Sequence, residues 1–247
     1  MSNIRVIIHG SGGRMGEAIA ELCRQSPDLE VIAGIDRDNS TVLEDLEPAD
    51  VLIDFSQPEG LQQALEWCLK TRTALVSGTT GIGQQLMVSL RSAGTKIPVF
   101  WAPNMSIGVN LAAQLVATAA HSLGMTADVE IIEAHHRYKK DAPSGTALQL
   151  AEVVASARGQ DFNAVVKSGR EGDCGVRPDG EIGISSIRAG DIVGDHTVLF
   201  QLPGEALEIT HRATDRDGFA RGALEATRWL NHQSPGYYDM RDLLASS

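Results

Sequence analysis

The chain has 247 residues, 43% of them hydrophobic, which is enough for one large core or two modest ones. Its 21 basic and 32 acidic residues leave a formal charge of -11, so it repels nucleic acid and anionic membranes at long range and must build a local basic pocket to hold a small anion. Cys23, Cys68 and Cys174 form no C-x-x-C pair and read as reduced thiols, and no apolar run reaches the length of a membrane span.

The N-terminus carries no basic segment followed by an apolar run, and a cytoplasmic location is expected. Ile4 to His9 instead reads as a strand, and Met15 to Gln25 as a helix. Val31 to Asp36 and Val51 to Phe55 are the next strands. Pro58 opens a helix carried by Leu61, Leu65 and Leu69. Ala74 to Ser77, a helix around Leu86 to Ala93, and Ile97 to Trp101 follow. Apolar strands alternating with helices predict an α/β domain with a Rossmann-type parallel sheet covered on both faces. The polar stretch between Asp36 and Val51 is cramped for a helical crossover.

The second half changes style. A long apolar helix over 107–123 precedes a strand at Val129, Ile131 and Ile132, and a helix from Ser144 to about Arg158. Three strands in succession come next, Ile182 to Arg188, Thr197 to Leu202 and Ala206 to His211, before a final helix at Phe219 to Asn231. Successive strands predict an α+β domain with a mixed or antiparallel sheet. Two domains are expected: residues 1–105 rejoined by 215–247, and residues 106–214.

Gly10-Ser11-Gly12-Gly13-Arg14-Met15-Gly16 lies between a strand and a helix, where a dinucleotide pyrophosphate meets the positive end of a helix dipole. The spacing is a G-x-x-G-x-M-G variant, with Met15 where the third glycine of G-x-G-x-x-G would stand. Asp36 ends the second strand, placed to accept hydrogen bonds from the adenosine ribose, and Arg37 can pair with a 2′-phosphate. Gly78-Thr79-Thr80 and Ala102-Pro103-Asn104-Met105 follow later strands at the same sheet edge. NADH or NADPH is the expected cofactor, with dual use and NADH somewhat preferred.

The densest chemistry is Glu133-Ala134-His135-His136-Arg137-Tyr138-Lys139-Lys140-Asp141-Ala142-Pro143-Ser144-Gly145-Thr146. Ser144 is placed as a helix N-cap, which leaves the N–H groups of Gly145 and Thr146 for a carboxylate. On composition alone a basic run is often a solvated loop. Adjacent histidines on a strand point to opposite faces and no second cluster supplies further ligands, so no metal is expected.

These residues resemble the dihydrodipicolinate reductase family. The Glu133 to Arg137 and Lys139 to Ala147 segments are similar to its signature, and Gly10 to Gly16, Gly78 to Gly81 and Asn104 to Gly108 to its cofactor loops. Arg188 to Gly194 and Ile209 to Ala213 are similar as well. The resemblance implies reduction of 4-hydroxy-tetrahydrodipicolinate to tetrahydrodipicolinate with NADH or NADPH and loss of water, in lysine and diaminopimelate biosynthesis. It implies a homotetramer built by the C-terminal domain, which also binds the small dicarboxylate substrate. His135 would donate and accept the proton, with Lys139 as second donor. His136, Gly145 and Thr146 would bind substrate. Gly10, Ser11, Gly12, Gly13, Arg14, Met15, Asp36, Arg37, Gly78, Thr79, Thr80, Ala102, Pro103, Asn104, Met105, Arg216 and Phe219 would hold the cofactor. Two positions depart from the pattern. Met105 stands where the family commonly has Phe, and the segment from Asp36 to Asp50 is short.

Two rivals remain at this level. A semialdehyde dehydrogenase would need a nucleophilic cysteine, and neither Cys68 nor Cys174 is well placed. A nucleotide sensor would have no use for His135 and Lys139.

Overall fold

The computed structural model describes residues 3–37, 42–215 and 217–246. In chain order the elements are β1 (Ile4–His9), α1 (Arg14–Arg24), β2 (Leu29–Ile35), β3 (Val51–Asp54), α2 (Pro58–Thr71), β4 (Ala74–Ser77), α3 (Gln84–Ala93), β5 (Pro98–Trp101), α4 (Ile107–Leu123), β6 (Asp128–His135), α5 (Gly145–Ala157), α6 (Phe162–Val165), β7 (Val166–Ser168), β8 (Ile182–Arg188), β9 (Gly194–Leu202), β10 (Glu205–Ala213), α7 (Asp217–Leu230), β11 (Gly236–Tyr238) and α8 (Met240–Ala245). They divide into two units, Met1–Ile107 with Asp217–Ser247, and Gly108–Arg216. Among the described residues no helix is long and apolar enough to cross a membrane.

The first unit is a six-stranded sheet in the order β11-β5-β4-β3-β1-β2, parallel throughout. Its central strands are apolar at successive positions because both faces are covered. Alternate side chains go to opposite faces. Val6, Ile8, Ile53 and Val76 face a core shared with α1, α7 and α8, while Ile7, Leu52 and Leu75 face α2 and α3. Pro58 sits in the first turn of α2, where its missing N–H costs nothing, and Arg72 closes that helix in the left-handed conformation, φ 60°. Among the described residues the β2–β3 connection holds only a one-turn 3₁₀ helix, Leu43–Asp45, in keeping with its cramped length.

The second unit is a five-stranded mixed sheet, β10-β9-β6-β8-β7. β6 runs parallel to β8 and antiparallel to β9. Val116 and Ala120 of α4, with Leu150, Ala151 and Val154 of α5, cover one face over Val129, Ile131, Ile184, Val198 and Phe200. On other strand positions Ile132, Ile187 and Leu207 remain 40%, 47% and 43% exposed.

Candidate active site

In the first unit the nucleotide-type residues gather at the carboxyl edge of the sheet. The N–H groups of Gly10 and Ser11 donate to the Ile35 carbonyl at 2.8 and 3.0 Å, tying the loop after β1 to the end of β2. Gly10 has φ +81°, and a Cβ there would lie 2.6 Å from the Phe55 carbonyl oxygen, so the turn requires glycine. A Cβ at Gly16 would overlap the Gly10 carbonyl. The close helix–strand approach therefore falls to Gly16, one residue beyond the Met15 position of the common motif. Gly13 is the N-cap of α1, with no capping side chain. Arg14 and Met15 begin the helix, and its first N–H groups are open to an anion.

Asp36, just past β2, accepts from the Gly12 N–H at 2.9 Å and the Arg37 N–H at 2.7 Å, which fixes its carboxylate beside the glycine loop. Gly10, Gly13, Asp36 and Arg37 line a cleft of about 360 Å³. A helix terminus for a diphosphate with a carboxylate for ribose hydroxyls beside it fits a dinucleotide.

The other expected cofactor residues divide. Thr80 is exposed, but Thr79 is 3% exposed and its hydroxyl donates inward to Asp54 at 2.7 Å. Ala102 and Met105 are buried in the core with Ala220 and Ala223, so their side chains face packing. Pro103 is exposed, and Asn104 Oδ1 accepts from the Ser106 N–H at 2.9 Å. Phe219 is half-buried in the first turn of α7, and Arg216 lies outside the described residues.

In the second unit the period of two on β6 puts Glu133 and His135 on the helix-covered face with Val129 and Ile131. His135 Nδ1 lies 2.5 Å from Glu133 Oε2. A carboxylate only accepts, so Nδ1 carries the hydrogen and Nε2 is the nitrogen left for chemistry. A Cβ at Gly194 would come 3.1 Å from that Nε2, so glycine keeps the space beside it open. Arg188 donates to both Glu133 oxygens, at 2.8 and 2.7 Å, and the Ser144 N–H donates at 3.2 Å. Burial pushes the Glu133 carboxyl up, but hydrogen bonds from Arg188, Ser186 and His135 and the Arg188 charge outweigh it and hold it at about 2.

Ser144 is the N-cap of α5 and accepts from the Ala147 N–H at 3.2 Å. Gly145 is exposed and Thr146 half-buried in that first turn, where helix N–H groups point outward. One buried carboxylate thus anchors both the imidazole and the start of α5. His136 lies just past the end of β6, with its Nδ1 buried and unpartnered among the described residues. Lys139 Nζ pairs with Asp141 at 2.8 Å and holds that carboxyl below its usual range. Sequence reasoning gave no role to Glu133, Arg188, Gly194 or His196.

His196 Nε2 is 3.0 Å from the Ser144 hydroxyl, and its ring meets His135 edge-on with centroids 5.1 Å apart. Burial first, then the His135 charge, push it down to about 4. Below a pH of about 6.5 the unfolded chain therefore takes up this proton before the folded chain does. The contribution is whole above about pH 6.5 and is lost as pH falls towards 4, on the order of 3 kcal/mol. His211, also lowered by burial, adds to the same slope. Glu133 adds loss only below about 4.5. Denaturant melts from pH 7 to 4.5 should show this decline, and His196→Asn should flatten it. An unchanged slope in the variant would identify a different titrating group.

Known proteins match over the whole chain. The family described as dihydrodipicolinate reductase, N-terminus, matches residues 4–105, and dihydrodipicolinate reductase, C-terminus, matches residues 108–244. A 4-hydroxy-tetrahydrodipicolinate reductase of Hahella chejuensis is 45% identical, covering 97% of this chain and 98% of its own. One from Alkalilimnicola ehrlichii is 46% identical with the same coverage, 97% and 98%. A dipicolinate-bound dihydrodipicolinate reductase from Paenisporosarcina sp. TG-14 superposes with a TM-score of 0.78 at 27% identity, covering 96% of this chain and 97% of that one.

Proposed function

The chain belongs to the dihydrodipicolinate reductase family, and we propose from that premise which of its residues carry the chemistry. It reduces 4-hydroxy-tetrahydrodipicolinate, a small dicarboxylate, with a pyridine nucleotide and loss of water, in lysine and diaminopimelate biosynthesis. The observation that carries the residue assignment is the Arg188–Glu133–His135 chain beside the open N-terminus of α5.

One substrate carboxylate sits on the N–H groups of Gly145 and Thr146, with His136 alongside. Expelling water puts a proton on the leaving hydroxyl and takes one from the neighbouring ring carbon, and reduction returns one to the atom that does not receive hydride. His135 supplies and recovers that proton through Nε2, and Glu133 stabilises the charged ring when it forms. Lys139 is the second donor, and a substrate carboxylate competes with Asp141 for it. The dinucleotide, when bound, supplies the hydride. Gly10 to Met15 hold its diphosphate and Asp36 its adenosine ribose. Oxidation of NADH or NADPH on addition of freshly generated substrate tests the reading, and nucleotide binding without turnover would replace it with the sensor.

We further propose dual cofactor use with NADH somewhat preferred. The Asp36 carboxylate favours two ribose hydroxyls over a 2′-phosphate, while Arg37 attracts that phosphate. Arg37 is exposed and solvent screens it, so Arg37→Ala should raise the KM for NADPH by only about fivefold and leave NADH nearly untouched. Equal losses for the two cofactors would assign Arg37 to adenine packing. A homotetramer is proposed through the sheet face opposite the helices, which carries the exposed Ile132 and Ile187, and native mass measurement checks it. A cytoplasmic location accords with three free cysteines.

A further inference from the structure

A second buried carboxylate, Asp54, lies in the first unit and belongs to none of the motifs itself. His9, Asp54 and Ser77 are the last residues of β1, β3 and β4, and strand register sets them in one row. Two residues on from Ile7, Leu52 and Leu75, they share the face turned towards α2. Asp54 is wholly buried. Its Oδ1 accepts from His9 Nδ1 at 2.9 Å and the Ser56 hydroxyl at 2.5 Å. Its Oδ2 accepts from the hydroxyls of Ser77 at 2.8 Å and Thr79 at 2.7 Å. Four donors fill the sites that a carboxylate offers, which is what burial of the group demands.

The consequence falls on His9. Asp54 only accepts, so Nδ1 must carry the ring hydrogen, and Nε2 is left as an acceptor with no protein partner among the described residues. The His9 side chain is 9% exposed, and the residue lines the cleft of Gly10, Gly13, Asp36 and Arg37. Glycine at position 60 of α2 makes room for it, since a Cβ there would come 3.0 Å from His9 Cε1. A solely structural partner of Asp54 needs one nitrogen and no opening.

We propose that His9 is a dinucleotide-binding residue, oriented by Asp54, whose Nε2 accepts a hydrogen bond from a ribose hydroxyl at the diphosphate–adenosine end of the cofactor. The proposal rests on the nucleotide site described above. Two substitutions separate the nitrogens. His9→Asn keeps a donor near the Nδ1 position and deletes Nε2, whereas His9→Gln reaches the Nε2 position and gives up the bond to Asp54. Binding of ADP-ribose is measured by calorimetry, with thermal stability alongside. His9→Asn should bind ADP-ribose about 3- to 10-fold more weakly than the wild type, the loss of one hydrogen bond, with a melting temperature close to it. His9→Gln should bind more tightly than His9→Asn although it melts lower. Wild-type binding by His9→Asn would overturn the proposal and leave His9 a partner of Asp54 only. If His9→Asn does not fold, His9→Gln is set against His9→Leu, and equal affinities in those two would overturn it as well. A wild-type chain that does not bind ADP-ribose would overturn the nucleotide site itself, a separate result.

Discussion

Replacing His135 by Gln should lower kcat by about 10²–10⁴-fold, the usual contribution of a positioned acid–base group, with little change in KM. Gln retains hydrogen bonding at that position but does not pass a proton at neutral pH. The size of the effect follows from the geometry. Nδ1 is committed to Glu133, so the ring has one nitrogen for the reaction, and Gly194 keeps the space beside that nitrogen open. His196, whose ring meets that of His135 edge-on, is held neutral by burial and engaged with Ser144, so it does not take over the proton. Steady-state kinetics check this. A variant that keeps most of its turnover would take the proton-transfer role away from His135. A large rise in KM with kcat intact would make the ring a substrate contact instead.

The second large effect is expected at Glu133. Glu133→Gln leaves the half-buried Arg188 without its counter-ion and turns a double acceptor into a mixed donor and acceptor. Removing one partner of a buried ion pair costs about 3–5 kcal/mol, because the other charge stays buried and unpaired. The imidazole also loses the acceptor that fixes its tautomer. Where a carboxylate orients a catalytic histidine in this way, the amide has cost up to about 10⁴-fold in kcat, and a smaller loss, of at least about tenfold, is expected here. The two consequences separate in one experiment. Thermal melts report the ion pair, and kcat per folded molecule reports the tautomer. A lower melting temperature with unchanged kcat would reduce Glu133 to a structural anchor. An unchanged melting temperature would mean that Arg188 finds another partner.

What the sequence by itself determined is everything written in consecutive residues. The parallel strands announce themselves as apolar runs because both faces of the first sheet are covered. The glycine loop reads as an anion site because backbone turn and helix start are local events, and Ser144 reads as an N-cap for the same reason. Shorter pieces carried no such signal. The three-residue strands Val166–Ser168 and Gly236–Tyr238 and the short helices Phe162–Val165 and Met240–Ala245 hold too few residues to show a period, and their neighbours decide their conformation.

Tertiary structure alone decided which polar groups meet. Thr79 sits in a loop that reads as ligand-facing, yet its hydroxyl turns inward, because Asp54, 25 residues earlier in the chain, ends the adjacent strand. His9 and Asp54 are 45 residues apart, and Glu133 and Arg188 are 55 apart. Nothing near any of them in the sequence names its partner. Strand register brings them together, and register is fixed by the apolar side chains that must all reach the core at once, since a slip of one residue would turn every one of them to the wrong face.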